Sequence, residues 1–174
     1  MEGGNGRVGR TVKTKNLEMP DVIDAGREAL DRLSTFFGDR SRKNFEKAIN
    51  GFKNTRGINE IIDVFNEFTH ALRGASDNSL VLSSIELLFQ LRRSPHVAHA
   101  VFESAASLSL HGYDTEKLAS FIHLLRSAGD DPDRIDSVAK EIAQAAAYRE
   151  PNSEDITVHI ARLQRSINAD KAES

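Results

Sequence analysis

The chain has 174 residues and a formal net charge of -3, with 39% hydrophobic and 28% charged residues, a composition typical of a soluble folded domain and not of a disordered chain. It contains no cysteine, which excludes disulfides, thiolate metal sites and a cysteine nucleophile. No stretch approaches the roughly 20 apolar residues of a membrane-spanning helix, and no secretory-type apolar segment follows the first residues. We therefore expect a cytoplasmic protein without a membrane span.

Residues 1–16 differ from the rest of the chain. They contain four glycines, one acidic residue and four basic residues, which are Arg7, Arg10, Lys13 and Lys15. Large apolar residues are few and show no periodicity, so the segment cannot bury enough surface to offset the entropy of ordering it. The composition predicts a flexible basic arm at 1–16, a single helical domain at 17–170 and a short tail at 171–174.

From Pro20 onward, apolar residues recur with the period of an α-helix. The first predicted helix covers about 21–37 and the second about 40–54. The third extends from Ile58 to Leu72, and Gly74 is a typical residue just after a helix. The fourth, at about 79–93, is apolar on nearly all sides, which is typical of a helix in the middle of a structure.

The second half of the chain repeats one start signal. Ser94-Pro95 and Asp131-Pro132 each combine a capping residue with a proline at the first helical position. Asp114 is a predicted N-cap between them, and Pro151-Asn152 precedes the last predicted helix. No run alternates with the period of a strand. The sequence therefore predicts an all-α fold with about eight amphipathic helices.

The predicted helix starts are regularly spaced. Alternate starts lie about 37 residues apart, which is a period typical of two-helix repeats. The segments Ser94-Pro95-His96-Val97 and Asp131-Pro132-Asp133-Arg134 occupy matching positions in this pattern. The spacing resembles a short HEAT or armadillo-type stack of paired helical hairpins. Because few other side chains repeat, a compact helical bundle is the alternative architecture.

Two patterns are candidates for a metal or catalytic site. Glu67 and His70 form an E-x-x-H motif, but di-iron helical proteins need a second copy and further carboxylates. His96, His99 and Glu103 can share one helix face, but the sequence offers no fourth zinc ligand. We therefore predict no catalytic residues, no metal, no cofactor and no enzymatic activity.

The strongest remaining signal is charge. Between Gly38 and Gly57 basic residues outnumber acidic ones by six to two. At about 100° per residue, three of these cations lie opposite the apolar residues of the second predicted helix. They predict an exposed basic ridge. Together with the arm, the candidate residues for an anionic partner or nucleic acid are Arg7, Arg10, Lys13, Lys15, Arg40, Lys43, Lys47, Lys53 and Arg56.

Two functions fit this sequence. The first is a non-enzymatic helical interaction module, an adaptor, scaffold or regulatory subunit that binds another protein through an exposed helical surface. The alternative is a nucleic-acid-binding or packaging protein that uses the basic arm and the ridge at 40–56. The sequence pI of about 6.1 disfavours the alternative, because nucleic-acid-binding domains usually exceed a pI of about 9. Homo-oligomerisation is compatible with either function.

Overall fold

The computed structural model describes residues 38–52, 57–73, 75, 78–148 and 154–173. These residues form seven α-helices: α1 Asp39–Phe52, α2 Ile58–Ala71, α3 Asn78–Gln90, α4 Pro95–Leu110, α5 Thr115–Ser127, α6 Pro132–Ala147 and α7 Glu154–Glu173. No strand occurs within the described ranges, and the all-α prediction is confirmed. The predicted arm at 1–16, the first predicted helix at 21–37 and the start signal at Pro151-Asn152 lie outside the described residues.

The helices pack in two layers. In one layer α1 contacts α3, α3 contacts α5 and α5 contacts α7. In the other layer α2 contacts α4, and α4 contacts α6. Contacts of α4 with α5, of α5 with α6 and of α6 with α7 join the layers. Packing against the helix two positions along the chain is the arrangement of stacked helical hairpins.

Two of the three predicted N-cap side chains make capping hydrogen bonds at the start of a helix. Asp114 accepts a hydrogen bond from the backbone N–H of Lys117 at 2.9 Å, and Asp131 accepts one from that of Asp133 at 3.0 Å. Both aspartates therefore satisfy a backbone donor that the first turn leaves free. Ser94 occupies the N-cap position of α4, but its side chain makes no capping hydrogen bond.

Phenylalanine rings join the two layers at the α1 end of the stack. Phe45 lies 5.8 Å from Phe68 and 6.1 Å from Phe65, measured between ring centroids. Phe65 also contacts Phe52, and Phe68 contacts Phe102 edge to face at 5.0 Å. All five rings are at most 1% exposed. This cluster fixes α1 and α4 against α2.

Helix α3 lies between α1 and α5, as its apolar composition predicts. Its buried residues occupy most of its circumference: Leu80, Val81, Ser83, Ser84, Ile85, Leu87 and Leu88. None of the described helices combines the length and the apolarity needed to cross a membrane. The apolar character of α3 is accounted for by its neighbours in the stack.

Replacing Phe68 with alanine tests the importance of the phenylalanine cluster. Because Phe68 is fully buried and touches rings from α1 and α4, we expect Phe68→Ala to lower the free energy of unfolding by about 3–5 kcal/mol. Leu110→Ala is the control, since Leu110 is 86% exposed and its truncation should change the free energy by less than about 0.5 kcal/mol. Urea unfolding measures both values, and equal effects would contradict this packing.

Candidate functional site

The exposed face of α1 carries the cations that the sequence predicts there. Burial of Phe45 and Phe52 in the phenylalanine cluster sets the rotation of the helix about its axis. The opposite face then points away from the core, and Arg40, Lys43 and Lys47 are all exposed on it. We call these three residues the basic ridge. At 1.5 Å per residue the ridge extends over about 10 Å of helix.

The charges of the basic ridge are not neutralised by neighbouring side chains. Within the described part of the chain, none of its three residues takes part in an ion pair. Other basic residues do form ion pairs. Arg126 Nη2 lies 2.7 Å from Glu86 Oε2, and Arg134 Nη2 lies 2.8 Å from Asp170 Oδ2. An anionic partner could therefore bind these three cations without first breaking an ion pair within the protein.

The basic ridge contains three of the nine predicted anion-binding residues. Lys53 and Arg56 follow α1 in the sequence and lie outside the described residues, as do the four cations of the predicted arm. The structure therefore brings together Arg40, Lys43 and Lys47 from the predicted set.

The face of α1 that carries the ridge leads to the turn between α3 and α4. Gly51 follows Lys47 by one helical turn, so the two residues share a face. A β-carbon at Gly51 would lie 2.8 Å from Cγ of Arg92 and 2.9 Å from its Cβ. The absence of a side chain at Gly51 therefore lets the aliphatic part of Arg92 pack directly on α1. The guanidinium carbon of Arg92 lies 4.2 Å from the ring centroid of Phe89, and Nη1 donates to the Phe89 carbonyl at 2.9 Å.

A cleft of about 450 Å³ opens next to Arg92, between the α3–α4 and α5–α6 turns. We call it the turn cleft. Gln90 Nε2 donates across it to the Gly129 carbonyl and to Asp130 Oδ1, both at 3.4 Å. The other lining residues include Phe89, Arg92, Arg93, Ser94, Asp130 and Pro132. The sequence does not indicate this cleft. Its two walls come from segments about 40 residues apart along the chain, and local patterns do not show that these segments meet.

The E-x-x-H pair lines a different, smaller cleft. Glu67 and His70 lie at the C-terminal end of α2 and form, with Arg73 and the end of α4, a cleft of about 220 Å³. His70 is exposed and Glu67 is half-buried. The strongly exposed Leu110 closes the α4 side. This cleft holds one carboxylate and one imidazole from a single helix, short of the ligand set of a di-iron centre.

The three candidate metal ligands on α4 do not converge. His99 Nε2 lies 3.7 Å from Glu103 Oε2, while His96 is exposed one turn earlier. Within the part of the chain that the structure describes, no group of three or more histidine, aspartate or glutamate side chains is placed to hold a metal ion.

A serine–histidine cluster between α3 and α5 is absent from the sequence predictions. The Oγ atoms of Ser79 and Ser83 each lie 3.3 Å from Nε2 of His123. Sequence gives no signal for it, since the serines precede the histidine by 44 and 40 residues. Ser83 is 4% exposed, whereas Ser79 and His123 are exposed. The cluster links neighbouring helices of one layer.

No family model matches the chain, and the searches among curated proteins and among solved structures return no significant match. The basic ridge and the turn cleft are therefore the features from which a function is inferred.

We expect the basic ridge to contribute little to stability. Because its residues are exposed and make no ion pair among the described residues, the triple variant Arg40→Ala/Lys43→Ala/Lys47→Ala should keep the free energy of unfolding within about 0.5 kcal/mol. Arg126→Ala should instead lower it by about 1 kcal/mol, since Arg126 pairs with the half-buried Glu86. Urea unfolding compares the two variants. A loss in the triple variant as large as that in Arg126→Ala would assign the ridge a structural role.

Proposed function

We propose that the chain is a non-enzymatic helical interaction module that binds another protein through the outer face of α1. The observation that carries this proposal is the basic ridge, three exposed cations without an ion pair in the described part of the chain. They lie on a helix held in place by the phenylalanine cluster. A fixed helix with free charges presents a pre-organised surface, which lowers the entropy cost of binding.

The charge of the ridge indicates a partner surface that is acidic. Complementary charges steer encounter and select against the wrong partner more than they add affinity. The rest of the chain is acidic enough to give a net charge of -3. An acidic partner is therefore attracted to the basic ridge and repelled by the acidic remainder of the surface, which favours docking at the ridge.

The surroundings of the ridge favour a protein over a nucleic acid. Asp39 and Glu46 are exposed on the same helix as the ridge, and they would lie close to the phosphates of a broad polyanion. The phenylalanines of α1, α2 and α4 are buried, so they are not available to stack on bases as in proteins that bind single strands. Asp39 and Glu46 would repel carboxylates as well as phosphates, so the burial of the phenylalanine rings is the feature that supports a protein partner over a single-stranded nucleic acid.

Nucleic-acid binding or packaging is the second candidate function, because cations on an exposed helix also fit phosphates. If the ridge makes three phosphate contacts on a single strand, the logarithm of the binding constant should fall with the logarithm of the salt concentration with a slope of about -2. The residues of the predicted arm would add to this slope.

Binding of defined probes to purified full-length protein tests the proposal. The first probe is a twelve-residue peptide with glutamate at alternate positions, and the others are a single-stranded RNA and a duplex DNA of similar charge. We expect the peptide to bind at low salt and the alanine triple variant of the ridge to bind it about tenfold more weakly. Fluorescence anisotropy measures each dissociation constant.

The matched control is Arg73→Ala/Arg162→Ala/Arg165→Ala, which also removes three exposed cations that lack an ion pair among the described residues. It should leave the dissociation constant for the peptide nearly unchanged. Equal weakening by both triple variants would mean that overall charge, and not the ridge, attracts the peptide. Tighter binding of RNA or DNA than of the peptide, lost in the ridge variant, would replace the proposal with the second candidate.

A further inference from the structure

The basic ridge and the turn cleft meet at one residue. Arg92 packs its aliphatic part on Gly51, at the end of the α1 face that carries the ridge, and it also lines the cleft. From Arg40 to Gly51 the face extends over about 16 Å, at 1.5 Å per residue. Arg93, the next residue in the chain, is exposed and also lines the cleft.

We propose that the basic ridge and the turn cleft form one continuous track for an extended, acidic segment of the partner protein. This inference rests on the proposed function and specifies how that surface is used. Carboxylates of the segment pair with Arg40, Lys43 and Lys47. The segment then passes Arg92 and enters the turn cleft, where a carboxylate meets Arg93.

The spacing of the cations fits an extended chain. Successive ridge residues rise by about 4.5 and 6 Å along α1, and Gly51, the residue beneath Arg92, lies about 6 Å further along. Side chains on one face of an extended chain repeat every 6.5–7 Å or so. Long, flexible lysine and arginine side chains bridge the small mismatch, so acidic residues at alternate positions can each reach a cation.

The turn cleft offers both donors and an acceptor. The Arg93 guanidinium and the Ser94 hydroxyl, which makes no capping hydrogen bond, are donors. Asp130 is an exposed acceptor on the facing wall, bonded through one oxygen to Gln90. A polypeptide supplies backbone N–H groups for this carboxylate as well as acceptors for the donors. Phosphodiester groups supply acceptors only and would be repelled by Asp130, so the cleft favours a polypeptide.

Arg92 is held ready for this role. Its guanidinium stacks on Phe89 and donates one N–H to the Phe89 carbonyl, while arginine has five N–H donors. Little side-chain entropy remains to be lost when a carboxylate binds the donors left over. Gly51 makes this position available, because a β-carbon there would overlap Arg92.

Peptides of two lengths distinguish binding along the whole track from binding to the ridge alone. A six-residue peptide with glutamate at alternate positions spans about 20 Å when extended, and a twelve-residue peptide spans about 40 Å. The shorter probe covers the ridge, whereas the longer probe also reaches the turn cleft. We expect Arg93→Ala in the full-length protein to weaken binding of the long peptide about three- to fivefold and to leave the short peptide nearly unchanged.

Arg73→Ala removes another exposed arginine, two residues after the end of α2. This variant is the control and should change neither dissociation constant. Suppose that Arg93→Ala leaves the dissociation constant of the long peptide unchanged, while the alanine triple variant of the ridge still weakens binding of both peptides. This result would overturn the track and leave the proposed function standing. Equal weakening of the two peptides by Arg93→Ala would overturn it as well. Failure of both peptides to bind wild-type protein at low salt would overturn the proposed function itself.

Discussion

The rotation of α1 about its axis is the constraint on which the proposed binding surface depends. Phe45 and Phe52 are fully buried against rings of α2, and this packing leaves one orientation of the helix. The same orientation turns the basic ridge outward and brings Gly51 beneath Arg92. Core packing and the proposed binding surface thus use opposite faces of one helix. With 3.6 residues per turn, the side chains of an amphipathic helix divide into a buried stripe and an exposed stripe.

Much of the fold could be predicted from the sequence because it depends on local periodicity. The apolar stripes locate α1 to α7 within a few residues, and Asp114 and Asp131 make the capping bonds expected of them. The predicted period of about 37 residues stays a prediction, and two side-chain bonds between helices of one layer have a similar separation along the chain. Arg126 bonds Glu86 across 40 residues, and Ser127 bonds Gln164 across 37.

The candidate site could be predicted only in part. Exposure of Arg40, Lys43 and Lys47 follows from helical spacing, since the position of a residue on a helix face is local information. The turn cleft is not local, because its walls come from two turns that are brought together by the packing of α3 against α5. Arg92 and Arg93 carry no sequence signal of their own, and the role proposed for them depends on the packing of Arg92 on Gly51, which the sequence does not indicate.

A stack of helices suits this kind of surface for a physical reason. Each described helix from α1 to α5 contacts the helix two positions along the chain, and the turns that follow α3 and α5 share a cleft. Asp130 from one turn and Arg93 from the preceding turn lie on facing walls in this way. The basic ridge is built differently, on the length of a single helix. A track that joins the two gains its specificity from the combination, because an acidic segment must match the charge spacing of α1 and the donor and acceptor pattern of the turns.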